Sequence, residues 1–160
     1  VRTKPENRDW QNCREDILHK AKAFLCWDVF HDVAVQLVRT KGPVSYFIPP
    51  SDICSIVVFT DQDETDFSKP VCHLFHEAGH RLQYEAWKKT GKRDRFMECI
   101  NTPAGPARAA FEQEAWDMGR TLLRRFIREC CPDTHLDEIY CVYGGICRWT
   151  YECGEPLNDN

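Results

Sequence analysis

The sequence has no cysteine pair at C-x-x-C spacing, no long uninterrupted apolar run, no internal repeat and no excess of basic charge. Each absence excludes something. Zinc ribbons and related modules hold their metal with closely spaced cysteine pairs, so that class of metal site is set aside. A membrane-spanning helix needs roughly 18 or more consecutive apolar residues. The longest apolar region here, Ala23 to Val38, is broken by Asp28, His31, Asp32 and Gln36, so no membrane partner is expected. With 21 basic and 25 acidic residues the formal charge is −4, which argues against nucleic acid as a partner. Two local basic clusters, Lys88 to Arg95 and Arg120 to Arg128, read as solvated helix faces and a loop.

What is present suits one folded domain. Apolar residues make up 42% of 160, enough for a hydrophobic core and too many for a disordered chain. The whole of residues 1–160 reads as a single domain, with its core at about 8–130 and a cysteine-rich tail at 131–160. The chain begins at Val1, not Met, as a processed or trimmed chain would, and a removed signal or pro-segment stays open. Ten cysteines permit disulfides. Cys26, Cys54 and Cys72, however, sit inside apolar segments as core residues do. Cys130, Cys131, Cys141, Cys147 and Cys153 crowd the C-terminal end, where disulfides and free thiols are equally compatible with the spacing. The lean is to an intracellular protein, with an oxidising compartment left open by the thiols.

Periodicity predicts a helix from about Arg8 to Phe30, with Ile17, Leu18, Ala21, Phe24 and Leu25 at helical spacing. Val33 to Val38 is a strand or the end of that helix. Val44 to Ile48 and Ile53 to Phe59 read as short strands, and the acidic stretch Asp61 to Asp66 as a loop. A second helix is expected from Ser68, taken as its cap, to Lys89. Lys92 to Pro106 reads mostly as loop. A third helix is expected from Ala107 to Cys130, stopped by Pro132. Nothing beyond Pro132 is assigned.

The second of these helices contains His76-Glu77-Ala78-Gly79-His80, an H-E-x-x-H sequence. Residues four apart lie on one face of a helix, so both imidazoles can reach one ion. Glu77 projects beside them, where a carboxylate can take a proton from activated water. At about 100° per residue, Val71, Leu74, Phe75, Ala78, Leu82 and Ala86 fall on one side, and His73, His76, Glu77, His80 and Tyr84 on the other. His73 is either an exposed bystander, a substrate-binding residue or one that supports a ligand from behind.

A zinc site of this kind needs a third protein ligand. The next helix offers Phe111-Glu112-Gln113-Glu114-Ala115-Trp116-Asp117. With Phe111, Ala115, Met118 and Leu122 as its buried side, Glu114 lies on one margin and Glu112 on the other. Glu114 is the expected ligand, with Asp117 orienting a ligand from behind. His73 and His135 are next in line. An oxyanion-stabilising donor is sought among Tyr84, His135, Tyr140 and Tyr143.

On His76, Glu77 and His80, with Gly79 before the second His and an acidic residue on the next helix, the chain resembles the zincin superfamily, gluzincin type. Within it, the chain is similar to the small IrrE/ImmA-like and antirestriction-type metallopeptidase domains. The strand-like Ile53 to Phe59 and the Glu114-Ala115 pair support that likeness, which covers about Arg8 to Arg128. The resemblance implies an α+β fold: an N-terminal helix, a small mixed or antiparallel sheet, the H-E-x-x-H helix and a second ligand helix. It also implies hydrolysis of a protein or peptide substrate, with Zn2+ as cofactor, His76, His80 and Glu114 as ligands and Glu77 as general base. The alternative is a catalytically silent zincin-like module serving in a larger protein assembly.

Overall fold

The computed structural model describes residues 13–41, 45–48, 54–132 and 134–154. The fold is α+β and mostly helical. Helix α1, Glu15–Phe24, places Ile17, Leu18, Ala21 and Phe24 in the core. Its last turn widens into a π-helical turn, Leu25–Val29, that swings the chain into strand β1, Val33–Arg39. The expected first helix thus begins at Glu15 and ends sooner. The part placed before residue 13 lies outside the described residues, as do Val44 and Ile53 of the expected strands.

Strand β2 is Ser45–Ile48 and β3 is Cys54–Thr60. The sheet order is β1-β3-β2, with β1 parallel and β2 antiparallel to β3, a small mixed sheet. In β3 every second residue is buried: Cys54, Ile56, Val58 and Thr60. That period of two sets one face of the strand on the helices.

Helix α2, Ser68–Lys89, runs through the middle of the molecule. Its N-terminus is held by Asp66 rather than by Ser68. Asp66 Oδ1 accepts from the Ser68 amide at 3.0 Å, the Ser68 hydroxyl at 2.6 Å and the Cys13 amide at 2.9 Å. Val71, Leu74, Phe75 and Ala78 lie in the core as expected, and the opposite face of the helix is covered too. His76, Glu77, His80 and Tyr84 are as buried as Val71 and Phe75, and Ala86 is exposed. A ring of elements covers it: β2 and β3, α1, and the three helices that follow.

Two segments given no helix on sequence grounds are helical. Helix α3, Arg93–Ile100, lies where a loop was expected; it buries Phe96 against Tyr84, Trp87 and Phe111. The stop signals Pro103, Gly105 and Pro106 are real, but they end a loop that a helix precedes. Helix α4, Pro106–Cys130, follows. Helix α5, Leu136–Cys153, occupies the segment left unassigned and buries Leu136, Ile139, Tyr140 and Cys147 in the main core. All ten cysteines are free thiols. Burial pushes the Cys13 thiol up to about 12 and the Cys54 thiol up to about 11, so both behave as small apolar core groups. Among the described residues no helix is long and apolar enough to cross a membrane.

The α2–α4 contact is the most extensive between helices, and two glycines set its depth. A Cβ on Gly79 would stand 1.9 Å from the Ala115 carbonyl oxygen, and one on Gly119 would stand 2.2 Å from that of Phe75. The backbones therefore touch where no larger residue fits. Gly79→Ala or Gly119→Ala should force the helices apart and destabilise the fold by at least ~1–3 kcal/mol. Gly145→Ala meets nothing within 4 Å, and should be neutral or stabilising. Chemical denaturation of the three variants checks this; equal stability of Gly79→Ala and Gly145→Ala would refute the tight seam.

Candidate metal centre

One helical turn separates His76 from His80, and the ring centroids lie 4.6 Å apart. Aromatic rings fix both planes. His76 stacks on Trp116 of α4 at 4.3 Å, and His80 lies between Phe111 of α4 at 5.2 Å and Phe47 of β2 at 6.3 Å. Into the gap between the imidazoles comes Glu112 of α4, only 1% exposed. Its Oε2 lies 3.0 Å from His76 Nε2 and 3.2 Å from His80 Nε2. Its Oε1 lies 2.6 Å from Arg108 Nη2. The donor atoms of His76, His80 and Glu112 all fall within 4.8 Å of one another.

Hydrogen bonding defines which atoms face inward. Gln83 donates through Nε2 to the Phe111 carbonyl at 2.9 Å and to Glu114 Oε2 at 2.6 Å. Its Oε1 therefore turns to His80 Nδ1, 3.0 Å away, and that nitrogen carries the proton. A neutral His80 then aims the lone pair of Nε2 at the carboxylate oxygen of Glu112. Two acceptors that close require a cation between them, either a proton or a metal ion. Without metal the proton takes that place. Burial alone would lower the pKa of His80, but the hydrogen bond and charge of Glu112 outweigh it, and the net shift is upward. Burial alone would raise Glu112; the bonds to His76 and His80 outweigh it and hold this carboxyl well below the usual carboxylate range.

A metal ion fits the same place. Two imidazole nitrogens and a carboxylate oxygen are a donor set of a divalent transition metal. Bonds of ~2.0–2.2 Å at tetrahedral angles set donor atoms roughly 3.4 Å apart, close to the 3.0 and 3.2 Å observed. Two of the three residues also have outside support of the kind metal sites use. His80 is braced by Gln83, and Glu112 by Arg108. His76 Nδ1 is buried beside Trp116 with no hydrogen-bond partner among the described residues.

Glu77 stands beside this set, not in it. It is 6% exposed, and its Oε1 accepts from Ser45 Oγ at 2.7 Å. It borders a cleft of about 300 Å³ with the three donors on one side and Phe47, Ile100, Arg108 and Tyr151 around it. A smaller cavity of about 170 Å³ shares Ser45, His76, Glu77 and Tyr151 and continues toward His73, Trp116 and Cys147.

The structure brings His76, Glu77 and His80 together and places Glu112, not the expected Glu114, with the two histidines. Glu114 points away from the donor set; its Oε2 accepts from Gln83 and, at 3.2 Å, from Trp87 Nε1. It braces His80 through Gln83 instead. The error lay in the buried side assigned to α4. Trp116, Gly119, Leu123 and Phe126 are buried and Met118 is not fully so, which rotates the inward stripe onto Glu112. A stripe counted through Trp116 and Gly119 would have found it. Asp117 is exposed and bonded to Gln113, not to a ligand. Tyr84 accepts from Arg93, Tyr140 donates to the Trp116 carbonyl at 3.1 Å, and His135 is exposed at the start of α5. None of the three lines the cleft. Tyr143 bonds to His73. Ser45, Arg108 and Tyr151 carry no local motif, and they reach the cleft from three different elements.

No family model, curated protein or solved structure matches the chain. The side chains themselves carry the reading that follows.

Glu112→Ala should lose metal affinity far more than Glu114→Ala. For the latter, a loss of about 10–100-fold is expected, as for a residue that orients a ligand. Titration of both variants with zinc, monitored by calorimetry, decides the matter. A larger loss in Glu114→Ala would restore Glu114 as ligand.

Proposed function

We propose that this chain is a zinc-dependent metallopeptidase of the α+β zincin type, with His76, His80 and Glu112 as ligands and Glu77 as general base. The observation that carries the reading is a buried His-His-Glu donor set opening on a cleft with a second carboxylate, Glu77, that is anchored elsewhere. A purely structural metal site would have no use for that second carboxylate.

Zinc bound there supplies Lewis acidity: it polarises a peptide carbonyl and acidifies water toward neutral pH. The protein groups do the rest. Glu77 borders the cleft, takes the proton of the attacking water and passes it to the departing amine. Ser45 fixes the rotamer of Glu77 so that one oxygen stays available. Arg108 offsets the negative charge of Glu112 and keeps the site cationic. Tyr151, whose phenol burial holds above its ordinary pKa, remains a protonated donor at the cleft wall. The Arg108 guanidinium over its ring, 5.5 Å from the centroid, holds it there. As a cleft-lining phenol it is the donor assigned here to stabilise an oxyanion. The substrate is a peptide or protein segment entering beside β2.

Glu77→Gln is nearly isosteric and should keep both fold and zinc, but lose about 10²–10⁴-fold in rate. The assay is cleavage of a broad peptide library by zinc-loaded protein, with zinc content measured in parallel. Comparable turnover in the Gln variant would remove Glu77 as base. A wild type that holds zinc in this site yet cleaves nothing would instead favour a silent zincin-like module.

A further inference from the structure

The anchor of Glu77 does not end at Ser45. The same Ser45 Oγ that lies 2.7 Å from Glu77 Oε1 lies 3.0 Å from His73 Nδ1, one turn earlier on α2. The far nitrogen of that ring, His73 Nε2, lies 2.9 Å from the hydroxyl of Tyr143 on α5. The two rings meet edge to face at 5.3 Å. Four side chains from β2, α2 and α5 thus form one unbroken line of hydrogen bonds that ends at Glu77.

Counting protons gives the line a direction. An ionised carboxylate only accepts, and Ser45 has a single hydroxyl proton. That proton goes to Glu77. Ser45 Oγ then accepts from His73, so His73 carries its proton on Nδ1. A neutral imidazole protonated there presents a lone pair at Nε2, and Tyr143 donates to it. Every donor points toward Glu77. Hydrogen bonds in such a chain polarise one another, and the last one, to a charged acceptor, is the strongest.

We propose that Tyr143, His73 and Ser45 are positioning residues that act in series to hold the Glu77 carboxylate aimed at the cleft. The proposal rests on the reading of Glu77 as general base. It also gives His73 a role distinct from that of a spare metal ligand, since both of its ring nitrogens are engaged.

The experiment is nitrogen-resolved imidazole NMR of the zinc-loaded protein at mildly alkaline pH, with His73 assigned through His73→Gln. The expected state is a neutral His73 protonated on Nδ1, the opposite of the form a free histidine side chain prefers. Ser45→Ala and Tyr143→Phe should each shift His73 toward the Nε2-protonated form, and Ser45→Thr should preserve the native state. An Nε2-protonated His73 in the wild type, or one unmoved by Ser45→Ala, would overturn the directed line. On a library peptide that wild type cleaves, Tyr143→Phe should lower kcat by about tenfold with KM unchanged; an unchanged kcat would overturn the positioning role. Full activity in Glu77→Gln would sink the general-base reading itself while leaving the tautomer result standing, so the two failures are distinguishable.

Discussion

Helices α2 and α4 meet backbone to backbone at Gly79 and Gly119, and the rest of the molecule depends on that close approach. With the axes so near, the side chains on either side of the glycines are confined to one narrow seam. Phe75 and Phe126 fill its lower part together with Phe24. His76, His80 and Glu112 occupy the part nearer the cleft. A bulkier contact would carry Glu112 out of reach of both imidazoles. The candidate metal centre is thus a consequence of helix packing, and the glycine inside the H-E-x-x-H sequence is a structural requirement of the same helix that carries the histidines.

Charge balance is the second constraint. A carboxylate at 1% exposure is costly to bury and is tolerated only when paired. Glu112 is paired on one oxygen with Arg108 and on the other with the two histidines. The Gln83–His80 bond fixes the inner tautomer, so the seam holds a place for one cation whether a proton or a metal fills it. Aromatic rings stack on both imidazoles, and the low-dielectric surroundings strengthen each of those interactions.

Much of this could be read from the chain, and the limits have physical causes. His76, Glu77 and His80 were legible because their relation is local, fixed by helical spacing within five residues. Strand β3 was legible from its β-branched run. The third ligand was not, because its place depends on which side of α4 faces α2, and Gly119 and Trp116 were left out of the buried stripe. Helix α5 was missed because Gly144-Gly145 reads as a break, each glycine costing a helix roughly 1 kcal/mol. The fold compensates at Gly144, where a Cβ would stand 2.9 Å from the Trp116 ring. Ser45, Arg108 and Tyr151 come from distant segments and become neighbours only in the folded chain.

The central claim is that nitrogen and oxygen donors from His76, His80 and Glu112 hold the metal, in a protein that also carries ten free thiols. X-ray absorption at the zinc edge of the protein loaded with one equivalent of zinc tests it most directly. The account predicts a coordination shell of nitrogen and oxygen alone at about 2.0–2.2 Å, with multiple scattering from two imidazoles. A sulfur shell at about 2.3 Å would contradict it, because the zinc would then be held by cysteine.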